Sequence, residues 1–279
     1  VFTMGIFLGS GLALAIGALL VAKLPTEGML TLPFLGDVYH WQKLFLIIGL
    51  PGLVISLLML TVREPVRKDV LQTEGVNAKL SLVESLKIIF EYRKVYLGLC
   101  FGTSFTAFVS YGTNAWVPTY FNRTFDWPVA KAGLYFGIVL LAGSIFGILW
   151  GGWHGDRLKN RGVANGRVWI AVISATVILA SSFIPLVANP YIVLILLFIP
   201  AFFIAAPMGA STTAIQELMP NQVRALASAI FLFILNMIGL GLGPLVVAFF
   251  TDYVFKDESA IRFSLVALYV IGGSLSILS

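Results

Sequence analysis

The 279-residue chain has one cysteine, Cys100, and two histidines, His40 and His154. A single cysteine excludes an internal disulfide, and neither a His-Glu-x-x-His string nor a cysteine cluster is present to hold zinc. Both histidines fall between apolar runs, so an intramembrane serine protease, which needs Ser and His facing each other in the bilayer, is not expected. The glycine-rich strings lie inside apolar runs rather than after strands, which argues against a nucleotide site. Charge is the scarcest resource: 11% of residues are charged and 59% are hydrophobic, against about 25% charged in soluble domains. With a mean hydropathy of +0.96, this is the composition of an integral membrane protein. The net charge of +5 lies in segments beside the apolar runs, which makes it a topology signal, not a nucleic-acid footprint. No cofactor, metal or nucleic-acid partner is expected, nor is an enzyme.

What the chain does have is long hydrophobic runs. Eight are free of charge: 1–22, 44–62, 95–121, 132–153, 168–188, 190–216, 225–250 and 263–279. Each is close to the roughly 20 residues a helix needs to cross about 30 Å of hydrocarbon, and Ala188-Asn189-Pro190 marks a turn between the fifth and sixth. Alternate connections hold unequal numbers of Lys and Arg. Segments 63–94, 153–167 and 217–224 together have twelve, and the intervening ones six, which places the first set and both chain ends in the cytoplasm. The chain starts in one run and stops in another, with no charged n-region or cleavage site, and so reads as a fragment.

The one long polar stretch, 63–94, contains Leu82, Leu86, Ile89 and Phe90 at helical spacing, with Lys87 and Glu91 opposite and a capping-box string Ser81-x-x-Glu84. It reads as a helix on the inner membrane surface. Glycines cluster in the first run (Gly5, Gly9, Gly11, Gly17), in the fourth (Gly143, Gly147, Gly151) and in the seventh (Gly239, Gly241, Gly243, before Pro244), where close helix packing is expected. Pro51-Gly52, Pro200 and Pro207 are expected to bend their helices.

Between the fourth and fifth runs stands Gly151-Gly152-Trp153-His154-Gly155-Asp156-Arg157-Leu158-Lys159-Asn160-Arg161. Gly152, three residues, then Asp156-Arg157, with Lys159 and Arg161 following, resembles the loop signature of the major facilitator superfamily of secondary transporters. Two runs, a polar linker and six runs, with this motif between the second and third runs after the linker, is similar to that superfamily's twelve-helix plan without its first four helices. The resemblance covers the whole chain. It implies an all-α integral membrane fold in which 1–62 are the last two helices of an N-terminal six-helix bundle, 63–94 a cytoplasmic linker, and 95–279 a C-terminal six-helix bundle whose last helix is cut short.

Three further groups of strings resemble the Spinster-type group, whose members are associated with lysolipid and sphingolipid export. They are Trp41 through Pro51-Gly52 to Arg63-Glu64-Pro65-x-Arg67, then Tyr111-Gly112-x-x-x-Trp116-x-Pro118, then Pro220-x-x-x-Arg224-Ala225 with Asn236-x-x-Gly239-x-Gly241-x-Gly243-Pro244. Sugar-phosphate and organic-anion facilitators share them in part, so both substrate classes stay open.

The polar residues inside the runs are uncharged. Thr103, Ser110 and Asn114 share one helical face, with Tyr111 near the outer end; Ser211, Thr212, Thr213 and Gln216 lie in the sixth run, and Asn236 is the only amide of the seventh. Tyr111, Asn114, Thr103, Ser110, Ser211, Thr212, Gln216 and Asn236 are the candidates for lining a substrate cavity, while Trp116 reads as an interfacial anchor. Gly152, Asp156, Arg157, Arg161, Glu217 and Arg224 are the candidates for a cytoplasmic gate, with Asp156 expected to cap the seventh run near Gln222 and Arg224 while that side is closed. The expected protein is a monomeric, multi-pass cell-membrane carrier that works by alternating access among membrane lipids. Its cargo is an amphipathic lysolipid-like or small organic substrate, and any proton-coupling acid lies in helices beyond this chain. A gradient-independent lipid scramblase is the alternative of another class.

Overall fold

The structure, a computed structural model, describes residues 2–23, 30–32, 36–62, 81–162 and 166–279. In chain order the elements are α1 (Phe2–Lys23), β1 (Leu30–Leu32), β2 (Gly36–Val38), α2 (His40–Met59), α3 (Leu82–Glu91), α4 (Arg93–Phe125), α5 (Val129–Asn160) and α6 (Gly166–Ala180). They continue with α7 (Pro190–Leu196), α8 (Phe198–Ala205), α9 (Met208–Leu218), α10 (Arg224–Asn236), α11 (Gly243–Phe249) and α12 (Ile261–Leu278). A 3₁₀ turn, Ser181–Leu186, extends α6, and π-helical turns Met237–Leu242 and Phe250–Phe255 flank α11. Each of the eight apolar runs is helical. Among the described residues the strands are those of the hairpin β1–β2, antiparallel with Thr31 opposite Asp37, between the first two runs.

Six stretches are long and apolar enough to cross a membrane by length and composition: Trp41–Met59, Arg93–Phe125, Val129–Leu158, Val168–Leu186, Arg224–Phe255 and Glu258–Leu278. Leu8–Lys23 and Pro190–Ala205 are shorter apolar helices. The sixth run is broken twice, at Leu197 and at Ala206–Pro207, and proline chemistry accounts for both breaks. Pro200 cannot donate to the carbonyl four residues earlier, at Leu196, and Pro207 cannot donate to Phe203.

Residues 1–18 with 81–279 form one compact unit, and 19–80 form a second. In the second, α2 turns large apolar side chains outward along its length, as with Phe45 at 72% and Leu57 at 66% exposure, which suits a helix whose solvent is lipid.

The first unit is built around α4, which packs against α12, α11, α10 and α5. Its buried Phe108, Val109, Val117, Tyr120 and Phe121 form the middle of the core with Leu265, Leu268 and Tyr269 of α12. Small residues let the backbones this close. A Cβ on Gly112 would meet the Leu268 side chain at 2.7 Å, and one on Gly239 would meet Ala107 Cβ at 3.0 Å. Gly243 lies against the Phe108 carbonyl, and Pro244 follows it at the start of α11. The tightest seam joins α5 to the α8 end of the sixth run: Gly143, Gly147 and Gly151 face Ala201, the Phe202 carbonyl and the Ala206 carbonyl in turn. On a neighbouring face, α5 meets α1, where Gly137 would place a Cβ 2.8 Å from Ala15 N and Gly133 one 3.2 Å from Ala18 Cβ, while Leu141 sits on Gly11. Of the first-run glycines Gly5, Gly9, Gly11 and Gly17, only Gly11 has a neighbour this close.

Two helix starts follow their sequence signals. Ser81 Oγ accepts from Glu84 N at 3.2 Å and Ser81 N donates to Glu84 Oε2 at 2.8 Å, a complete capping box that opens α3. Asn189 Oδ1 accepts from Tyr191 N and Ile192 N, and Pro190 sits at the first helical position of α7. On α3, Ser85 and Ile89 are buried while Leu82, Leu86 and Phe90 stay exposed, so only part of its apolar face is turned into the protein.

The adjacent glycines of α5 predict opposite outcomes. Gly151→Ala puts a methyl onto the Ala206 backbone and is expected to cost about 1–3 kcal/mol. Gly152 has nothing within 4 Å, so Gly152→Ala is expected to be neutral or to stabilise by up to about 1 kcal/mol. Thermal unfolding in one detergent measures both; equal effects would contradict the seam. A second expectation concerns pH. Hydrogen bonds from the Ser81 backbone and side chain hold Glu84 below its ordinary pKa of 4.5, so its contribution is present above that value and lost as pH falls through the lowered one. Amide exchange at the start of α3 should stay protected at neutral pH and open only in acid below the ordinary glutamate range.

Candidate functional site

The polar face of α4 divides into two sites at different depths. Seven residues at about 1.5 Å each separate Thr103 from Ser110 by roughly 10 Å along the axis. Ser110 and Asn114 border a cavity of about 10 Å³ in the bundle interior, with Thr113, Ser144 and Tyr269 as its other polar walls and Phe136, Leu140 and Ile204 among its apolar ones. Thr113 Oγ1 donates to the Tyr269 hydroxyl at 3.3 Å, tying α4 to α12. Ser144 is fully buried, and its Oγ has no hydrogen-bond partner.

Thr103 and Ser211 instead border a larger cleft of about 340 Å³ between α4, α6, α9 and α12. Its walls are apolar at Val95, Leu99, Val168, Val172 and Ile277, and polar at Ser276 and Lys94. Gly98 and Gly102 on α4 widen it, and Ser276 Oγ donates to the Gly102 carbonyl at 2.9 Å.

The remaining candidates lie elsewhere. Tyr111 packs on Gly239, with its ring 3.1 Å from where a Cβ would stand. Asn236 is exposed and its Nδ2 donates to Leu232 O of its own helix at 2.8 Å, and it lines neither cavity. Gln216 is exposed near the end of α9, and the Thr212 side chain lies outside the described residues. Trp116 is not a bare interfacial anchor: it is half-buried and its Nε1 donates to Pro244 O at 2.9 Å, linking α4 to α11. Thr113, Ser144, Tyr269 and Ser276 were not singled out by spacing on one helix, because they converge from three helices.

The glycine-aspartate-arginine motif is helix, not loop. α5 runs unbroken through Asn160, and the chain turns only at Arg161-Gly162, where Gly162 takes φ +72°. Gly152 faces open space, Asp156 and Arg161 are exposed, and Arg157 lies over the Trp153 ring at 5.2 Å. His154 stacks on Trp150 with ring centres 4.9 Å apart. The expected Asp156 cap on α10 is not made in this structure: Val223 is the N-cap residue and has no side-chain cap bond. Arg224 instead reaches its own turn, with Nη2 donating to Met219 O at 3.4 Å. The reason lies in the packing, since the end of α5 rests on the sixth run at Ala206 and not on α10. The Glu217 side chain, and the Arg63-Glu64-Pro65-x-Arg67 string of the linker, lie outside the described residues.

Among the described residues no group of three His, Cys, Asp or Glu is placed to hold a metal ion. Among the described residues, the small cavity offers hydroxyls and an amide within apolar walls, an arrangement suited to neutral polar groups.

Several helices of membrane-spanning length packed through small residues define a multi-pass integral membrane protein. Residues 1–244 match the family model for the Major Facilitator Superfamily, and the chain belongs to that superfamily. It is 26% identical over 257 residues to an MFS-type efflux pump of Mycolicibacterium smegmatis, a match covering 88% of this chain and 56% of that protein. It is also 26% identical over 264 residues to the uncharacterized transporter YybO of Bacillus subtilis, covering 85% and 57%. The chain thus spans little more than half the length of these curated relatives. Among solved structures, a bacterial homologue of the human lysosomal transporter Spinster is similar in two inward-facing states. The unoccupied state superposes with TM-score 0.70 over 99% of this chain and 69% of that one, and the occupied state with 0.64 over 99% and 66%, both at 21% identity. That likeness is one of fold.

Trp116→Phe keeps the ring and removes the bond to Pro244 O. The expected loss is about 1 kcal/mol, read as a fall of a few degrees in Tm. An unchanged Tm would show that this bond does not hold α4 to α11.

Proposed function

We propose that this chain is part of a secondary active transporter that works by alternating access and carries an amphipathic, lipid-like or small organic substrate. One observation carries the reading: the side chains bordering the cleft of about 340 Å³ are apolar or uncharged hydroxyls, apart from Lys94 at one end. Apolar walls with a few hydroxyls suit an alkyl-bearing cargo with a small polar head. The efflux function in one relative's name and the Spinster homologue's fold support the same reading. Lys94 supports the second reading, an organic-anion or sugar-phosphate carrier. A gradient-independent scramblase is the third.

On this proposal residues 1–62 belong to one bundle, 63–94 to a cytoplasmic linker with α3 on the inner membrane surface, and 95–279 to the other bundle. The small-residue seam of Gly11, Ala15 and Ala18 with Gly133, Gly137 and Leu141 is the joint between bundles, because flat backbone contacts tolerate rocking. The twelve Lys and Arg of the proposed inner segments set the orientation, with both chain ends inside. Gly152, Asp156, Arg157, Arg161, Glu217 and Arg224 belong to the inner gate, and exposed Asp156 marks its open state. Proton coupling, where it operates, uses an acid outside the eight apolar runs, since none of the thirteen acids lies within them. The working unit is a monomer without cofactor or enzymatic activity.

Proteoliposome uptake by the full-length protein, comparing a fluorescent lysolipid with a sugar phosphate with and without a proton gradient, tests this. Gradient-dependent lysolipid movement is expected. Movement of the sugar phosphate alone would sink the lipid reading, and lysolipid movement indifferent to the gradient would favour the scramblase. Asp156→Asn is expected to lower uptake about tenfold or more by biasing the gate open, with little change in folding; unchanged uptake would remove Asp156 from the gate.

A further inference from the structure

The small cavity behind Ser110 and Asn114 points to a ligand other than the transported substrate. Ser and Thr inside a helix usually donate to the carbonyl four residues back, which satisfies the hydroxyl without a partner from elsewhere. Ser104, Thr106, Thr176, Ser181, Ser211, Thr213 and Thr251 all do so here. Ser144 does not. It is fully buried on α5, has no hydrogen-bond partner, and lines the cavity. Opposite it, the Tyr269 hydroxyl accepts from Thr113, which leaves its own proton to give.

We propose that this cavity is a binding site for one internal water molecule, held by Ser144 of α5 and Tyr269 of α12 and bordered by Ser110 and Asn114 of α4. Its size fits that ligand: about 10 Å³ of room for a water centre is close to the one-water minimum. The partners fit as well, since an internal water makes about three hydrogen bonds and five neutral groups of mixed donor and acceptor character border this cavity. No charged side chain borders the cavity, so the residues suit a neutral ligand over a metal cation. The water joins three helices that otherwise meet here through apolar contacts and the Thr113–Tyr269 bond. It also gives the Asn114 amide a fixed neighbour on its inner side.

The direct test is a structure of the full-length protein at a resolution that shows internal waters. A density peak within hydrogen-bond distance of Ser144 Oγ and the Tyr269 hydroxyl is expected; a dry cavity in a map that resolves other buried waters overturns the proposal. Stability supplies an independent test, because the two cases differ in sign. With water bound, Ser144→Ala removes an anchor and should lower Tm by about 2–4 °C. In a dry cavity the same change relieves a buried unpaired hydroxyl and should raise it. Ser174 is equally buried and unpartnered but lines neither cavity, so Ser174→Ala should not lower Tm. Ser144→Ala and Thr113→Val should also couple, their combined loss being smaller than the sum of the two. A rise on Ser144→Ala, equal falls in both serine variants, or strict additivity would each contradict a bound water. None of these readouts depends on which substrate is carried.

Discussion

The fold depends on how closely α5 can approach its neighbours. In lipid no hydrophobic gain separates a packed helix from a solvated one, so association rests on van der Waals contact and the few polar bonds across helices. Gly143, Gly147 and Gly151 supply that contact toward the sixth run, where a single added methyl at either of the last two would strike a carbonyl. A neighbouring face of the same helix repeats the device with Gly133 and Gly137 against Ala18 and Ala15 of α1. One helix therefore serves both seams, and the superfamily motif at its end is a continuation of that helix, with Gly152 and Asp156 turned away from the seam.

The polar interior follows from the same constraint. Residues that would be expensive as charges in hydrocarbon are present as hydroxyls, and most are satisfied locally by the carbonyl four residues back. The exceptions are therefore informative. Thr113 reaches Tyr269, Ser276 reaches the Gly102 carbonyl, Trp116 reaches the Pro244 carbonyl and Ser144 reaches nothing in the protein. Thr113 and Ser144 border the small cavity and Ser276 the cleft, while Trp116 stands at the contact of α4 with α11.

Much of this was legible in the residues. Eight charge-free runs announce eight helices because apolar length is a local property, and Ser81-x-x-Glu84 and Asn189-Pro190 announce helix starts because caps are local too. The glycine spacing of 143, 147 and 151 pointed to a packing face for the same reason. Less legible was everything that depends on which helices become neighbours. Charges after Gly151 suggested a loop, yet nothing in 152–160 breaks a helix, and α5 continues until the chain reaches Gly162. Thr103 and Asn114 share a face but not a cavity, because the face is long enough to pass through two. Asn236, conspicuous as a lone amide, turned to its own backbone. The Asp156 cap on α10 was expected only with the inner side closed, and in this structure Asp156 is exposed and the cap is not made.

The central claim is alternating exposure of one interior, and cysteine accessibility reads it most directly. Cys100, the one cysteine of these 279 residues, is buried and contributes little background, and any cysteine elsewhere in the full-length protein is first replaced by serine. With Asn114→Cys in the full-length protein, labelling by a membrane-impermeant thiol reagent is measured from each side, with and without substrate. The account predicts that substrate raises labelling from one side as it lowers labelling from the other. Equal labelling from both sides, unmoved by substrate, would contradict alternating access and describe a passive pathway.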